Sequence, residues 1–117
     1  MGVYSHDVTI ANGETESGAL DVEGRSIVAV RVGTVAATTA SFKATVAEPA
    51  SPKGVVATPS FLAVRDSAGD VLSFETPDDS HITFDPAALV SVMQVKIVAG
   101  TAASGAETWT IVTRSVD

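Results

Sequence analysis

The sequence predicts an all-β fold, an antiparallel β-sandwich or a jelly-roll-like variant of about eight to nine short strands. Three observations carry this reading. Short segments alternate apolar and polar residues with a period of two, as half-buried strands do. Gly, Pro, Asn and Asp punctuate them at short intervals. Ala, Val, Thr, Ser and Gly dominate the composition, and no long segment carries an amphipathic helical period.

The elements follow in chain order. "YSHDVTI" sets Tyr4, His6, Val8 and Ile10 on one face, and "ANGE" after it is a turn, because Asn-Gly accepts positive φ. "SGALDVEG" reads as a second strand ending at Gly24. "SIVAVRV" is almost wholly apolar and β-branched, as a strand covered on both faces would be. "SFKATVA" alternates Phe42, Ala44 and Val46 against Lys43 and Thr45. "FLAVRD" and "VLSFET" flank "SAG", with Asp66 and Gly69 as turn residues, which predicts a hairpin. "HITFD" is a further short strand. "DPAALVSV" predicts one short helical turn near 86–90, with Asp85 as cap and Pro86 in the first helical position. "VMQVKIVAG" and "ETWTIVTRSV" close the chain, separated by "TAASGA". On the last strand Trp109 shares a face with Ile111 and Thr113. That face predicts core packing, with an exposed binding aromatic as the alternative.

The 117 residues suit one domain, 1–117, with a short N-terminal arm over residues 1–5 that gains order on meeting a partner. A chain of this size buries roughly 65% of its unfolded surface, enough for a core. It has no cysteine, so no disulfide framework and no thiolate metal site. No basic region followed by an apolar core marks a signal peptide, and no apolar run approaches a membrane-spanning length.

The formal net charge is −7, from 14 acidic against 7 basic residues, and the basic residues are scattered. A nucleic-acid binder concentrates its cations on one face, and an anionic membrane surface also attracts clustered cations. Neither partner is expected. No Gly-rich phosphate loop, no nucleophile motif and no Ser–His pairing stands out, so no enzyme and no cofactor is expected.

Two acidic stretches could hold a cation. "ETPDDSHITFDP" gathers Glu75, Asp78, Asp79, His81 and Asp85. Pro77 and the short polar side chains make a solvated turn the simpler reading; a calcium site on Asp78 and Asp79 is the alternative. "RDSAGD" reads as a hairpin turn in the same way. "EPASPKGVVATPS", residues 48–60, is the longest irregular stretch. A loop of that length in a small domain commonly carries an interaction surface.

The succession of pieces resembles small virion structural proteins of tailed bacteriophages. "HDVTIANGETESGALDVEG" leads into "SIVAVRV" and "TTASFKATV". Then come "FLAVRDSAGDVLSF", "ITFDPAALVSVMQVKIVAGT" and "ETWTIVTR". The likeness runs over nearly the whole chain. It departs at Gly33, where the family often has Pro, and at "SGAE" before the last strand. The resemblance implies a non-enzymatic decoration or cement protein that binds the major capsid protein or other virion proteins. The head-fibre base, neck and tail are alternative positions. It implies location in the virion, assembled in the host cytoplasm, and a trimer at a local threefold. Composition, independently of the family, suggests Val3 and Tyr4 in the arm and Pro49, Pro52, Val55, Val56 and Pro59 in the loop as contacts. A carbohydrate-binding or adhesion sandwich is the further alternative.

Overall fold

The apolar face of each alternating segment turns inward, and the strands close over a shared core. The computed structural model describes residues 2–23, 25–46, 61–84 and 92–115. Among them are nine strands and no helix: β1 (Val3–Ile10), β2 (Leu20–Asp21), β3 (Ser26–Val32), β4 (Thr39–Val46), β5 (Leu62–Ala63), β6 (Ser73–Glu75), β7 (Ser80–Thr83), β8 (Val92–Ala99) and β9 (Glu107–Arg114). The helical turn expected near 86–90, with Asp85 and Pro86, lies outside the described residues. So do the loop residues Pro49, Pro52, Val55, Val56 and Pro59.

One sheet runs β1-β9-β3-β7, the other β2-β8-β4, with β5 and β6 both on the far edge of β4. All pairs are antiparallel. β5 pairs with Lys43 and Ala44, while β6 pairs with Thr39 to Ser41. Together they fill the place of one strand. The chain therefore pairs in mirrored order: β1 with β9, β2 with β8, β3 with β7, and β4 with β5 and β6. That is the strand order of a jelly roll, the second of the two architectures expected.

The split edge strand refines the expected hairpin. Val64 N–H donates to Phe42 O and Leu72 N–H to Val64 O, so the chain leaves the β4 edge, turns and rejoins it. The turn is built on Asp66, whose Oδ1 accepts from Ala68 N at 2.9 Å and Asp70 N at 3.1 Å. Gly69 has φ +89°, a conformation that favours glycine. The tip projects into solvent rather than adding a strand pair to the sheet.

Trp109, Phe42, Ile10, Ile27, Ile97, Ile111 and Val30 are fully buried. Trp109 stands in register between Val8 and Val32, and core packing is the reading the structure supports. Phe42, Phe74 and Phe84 form a cluster with ring centroids 5.2–5.5 Å apart. Such pairs add about 0.5–1.5 kcal/mol each beyond area burial.

Three local expectations change. β3 is not covered on both faces: Arg31 is exposed and Val28 and Ala29 are half-buried. Its apolar run reflects a register shift between Ile27 and Ala29, which puts both Ile27 and Val30 in the core. The second strand shrinks to Leu20–Asp21, because Asp21 Oδ1 accepts from Glu23 N and the chain turns there. The N-terminal arm expected over residues 1–5 gives way to strand from Val3 onward. Val3, Tyr4 and Ser5 pair with Arg114, Thr113 and Val112, and Ser115 N–H donates to Gly2 O. β9 is long enough to reach Gly2 and Tyr4, whose backbone groups bond it, so this end of the chain lies on the sheet.

Candidate interaction surface

The first residues of β1 are where polarity, exposure and an open sheet edge coincide. Val3 is 68% exposed and Tyr4 42%, two of four large apolar side chains on the surface of the described residues. Tyr4 lies on the inner face but at its end, where the sandwich opens. Arg25 covers it, with Cζ 4.4 Å from the ring centroid. A tight turn sets that position. Arg25 N–H donates to Val22 O, and Glu23 adopts φ +53°. Glu23 Oε2 sits 3.6 Å from Arg25 Nη1. On the other side of Tyr4, the His6 ring stacks with centroids 6.5 Å apart.

Three buried polar atoms at this end have no hydrogen-bond partner among the described residues: His6 Nε2, Arg25 Nε and Thr113 Oγ1. Register puts Thr113 opposite both Tyr4 and Ile27, two residues along β9 from Ile111, which faces His6, and Arg25 lies over the Tyr4 ring. A buried polar group left unpaired costs about 1–3 kcal/mol. All three atoms are covered by the protein itself, so the groups open to solvent at this end are Val3 and Tyr4.

Asp78 and Asp79 sit in a turn. Ser80 Oγ donates to Pro77 O at 2.6 Å, Asp79 N–H donates to Gly33 O, and Asp79 has φ +51°. His81 is in β7, opposite Arg31. Among the described residues no three His, Asp or Glu side chains converge as metal ligands. Leu62 and Val71, the other exposed apolar residues, flank the projecting turn.

Two further charged groups are organised. Glu107 is buried, and its Oε2 accepts from Ala36 N at 2.9 Å, tying the loop after β3 to β9. Glu16 reaches Lys43 and Lys96 on the outer face of the second sheet. Its carboxyl is held below the usual value, first by the hydrogen bond from Lys43, against the opposing effect of burial.

Of the contacts suggested by composition, the structure places Val3 and Tyr4 on the exposed end of β1; that Arg25 and His6 flank the Tyr4 ring was not read from the sequence. Arg25 comes from a different turn, and only the fold of that turn brings it over Tyr4. The alternation of Tyr4 and His6 was the one legible signal.

No protein-family model and no curated protein matches this sequence. Among solved structures, the crystal structure of SPBc2 prophage-derived protein YomS aligns over 97% of this chain and 95% of its own, with 13% identity and a TM-score of 0.48. A likeness at that level carries no argument about role.

Proposed function

We propose that this chain is a non-enzymatic structural protein of a bacteriophage virion, a decoration or cement protein that binds the head shell. The observation that supports the reading is the exposed end of β1, where Val3 and Tyr4 stand in solvent with Arg25 over the Tyr4 ring and His6 stacked beside it. A rigid sandwich presenting one such surface is a binding module. Its sequence resemblance to small virion proteins supplies the particle. Jelly rolls also recur in viral capsids and lectins, which is fold-level analogy only. On a shell, many symmetry-related copies turn modest contacts into stable coverage.

Head-fibre base, neck and tail positions belong to the same reading and differ only in the virion protein contacted. The carbohydrate-binding alternative loses its main aromatic candidate, because Trp109 is fully buried.

The test is mass spectrometry and immunogold labelling of particles purified from cells that carry this gene. The reading expects the chain in those particles at a copy number comparable to a shell protein, with gold on the head. Its absence from purified particles overturns the proposal. Gold confined to the neck or tail moves the protein to the alternative position.

A further inference from the structure

The described sheet edges are not alike. β2 has two residues, β7 has four, and the β5–β6 edge is interrupted by the projecting turn. Short or broken edges resist adventitious pairing. β1 runs eight residues in unbroken register with β9, contains no Pro or Lys, and has no strand on its outer side among the described residues.

Which backbone groups face that side follows from one hydrogen bond. Ser115 N–H donates to Gly2 O at 3.1 Å, which continues the β1·β9 register and makes Gly2 and Ser115 a hydrogen-bonded pair. Such pairs alternate along an antiparallel ladder. Tyr4, His6, Val8 and Ile10 therefore bond β9, while Val3, Ser5, Asp7 and Thr9 turn their N–H and C=O groups outward.

We propose that this edge pairs antiparallel with the same edge of a second copy, about a two-fold axis, joining the two four-stranded sheets into one. Inner-face residues must oppose inner-face residues, which removes every odd shift of register. A register centred on His6 sets Val3 opposite Thr9, Tyr4 opposite Val8, Ser5 opposite Asp7, and His6 opposite the second copy's His6. The outward backbone groups then all fall in hydrogen-bonded pairs over this span. Centring on Asp7 instead opposes two carboxylates, which is unfavourable. Centring on Ser5 shortens the overlap.

Charge permits this edge. The chain carries −7, yet β1 holds one acid, Asp7, among its eight residues and no Lys or Arg. Two acidic copies meet here with few like charges opposed, and pairing covers the exposed Val3 and Tyr4. A closed trimer, the form expected from lattice symmetry, needs β1 to meet a different edge of the next copy. The other described edges are short or interrupted, so the two-fold dimer takes its place. This inference does not depend on a role in a particle.

One strand pair lies at the small end of specific interfaces, below about 1,200 Å², so association is on the order of micromolar or weaker. Sedimentation equilibrium over roughly 5–500 µM reads it. The expected mass rises from monomer to dimer. Ser5→Pro removes an outward N–H without touching the β9 ladder, and raises the dimer dissociation constant at least about tenfold. His6→Cys, in a chain without other cysteines, forms a covalent dimer on oxidation. Non-hydrogen-bonded pairs have Cα atoms about 4.5 Å apart, within disulfide reach. Val8→Cys does not, because Val8 faces Tyr4. A monomer at every concentration, a mass that stops at trimer, or a dimer unaffected by Ser5→Pro overturns the proposal. Equal cross-linking of the two cysteine variants does the same. If Ser5→Pro fails to fold, the cysteine pair still decides.

Discussion

Lys43 and Lys96 stand directly opposite each other across β4 and β8. Like charges in that relationship destabilise a sheet. Glu16 resolves it from a third segment, joined to β8 by an isolated bridge to Val98. Its Oε2 accepts from Lys43 Nζ at 2.8 Å and its Oε1 lies 3.9 Å from Lys96 Nζ. Lys96 Nζ also sits 4.5 Å from the centroid of Phe61.

Glu16→Gln should therefore lower stability at pH 7 by about 0.2–1 kcal/mol, since the group is over a third exposed and screened by solvent. The pH dependence has a definite sign. A carboxyl whose folded pKa is depressed contributes stability above its unfolded value, here 4.5, and loses it as pH falls through the folded pKa. Urea titrations of both proteins should show the gap at pH 7 closing below about pH 4.5. A gap that widens in acid contradicts the assignment.

Trp109 is fully buried, yet its Nε1 has no hydrogen-bond partner among the described residues. Trp109→Ala should cost about 3–5 kcal/mol by leaving a large cavity. Trp109→Phe should cost clearly less, because it also removes the unpaired N–H. Equal losses in thermal or urea unfolding would show that the indole N–H carries no penalty.

The turn after β6 makes a position-specific prediction. Asp79 occupies φ +51°, so Asp79→Ala should cost about 1 kcal/mol from backbone strain, and Asp79→Gly little or nothing. Asp78→Ala should stay within about 0.5 kcal/mol. Millimolar calcium should leave the melting temperature of the parent unchanged, whereas a ligand of the folded state raises it.

Deleting residues 1–5 tests whether the N-terminus is strand or arm. Loss of the Val3–Arg114, Tyr4–Thr113 and Ser5–Val112 pairs should cost at least about 1 kcal/mol, roughly 4–8 °C in Tm. An unchanged Tm would return these residues to the status of a free arm.

The sequence by itself determined the fold class and most of its strands. Alternation is a local property, and whichever partner a strand finds, Val8, Ile10, Phe42, Trp109 and Ile111 must face the core. Turn chemistry is local too, so Asn12-Gly13, the Asp66 turn and the Pro77–Ser80 turn could be read before any contact was known. Long-range pairing was decided only by the tertiary structure. No local signal shows that β1 pairs with β9, 103 residues away between Asp7 and Thr110. None shows that Arg25 lies over Tyr4, or that Glu16 separates two lysines. Those arrangements exist because a strand's free N–H and C=O groups accept any antiparallel neighbour in register, and only closure of the sandwich around one shared core selects among them. The same closure leaves β1 with an open outer edge, and that is a property of the sheet order rather than of the residues "VYSHDVTI".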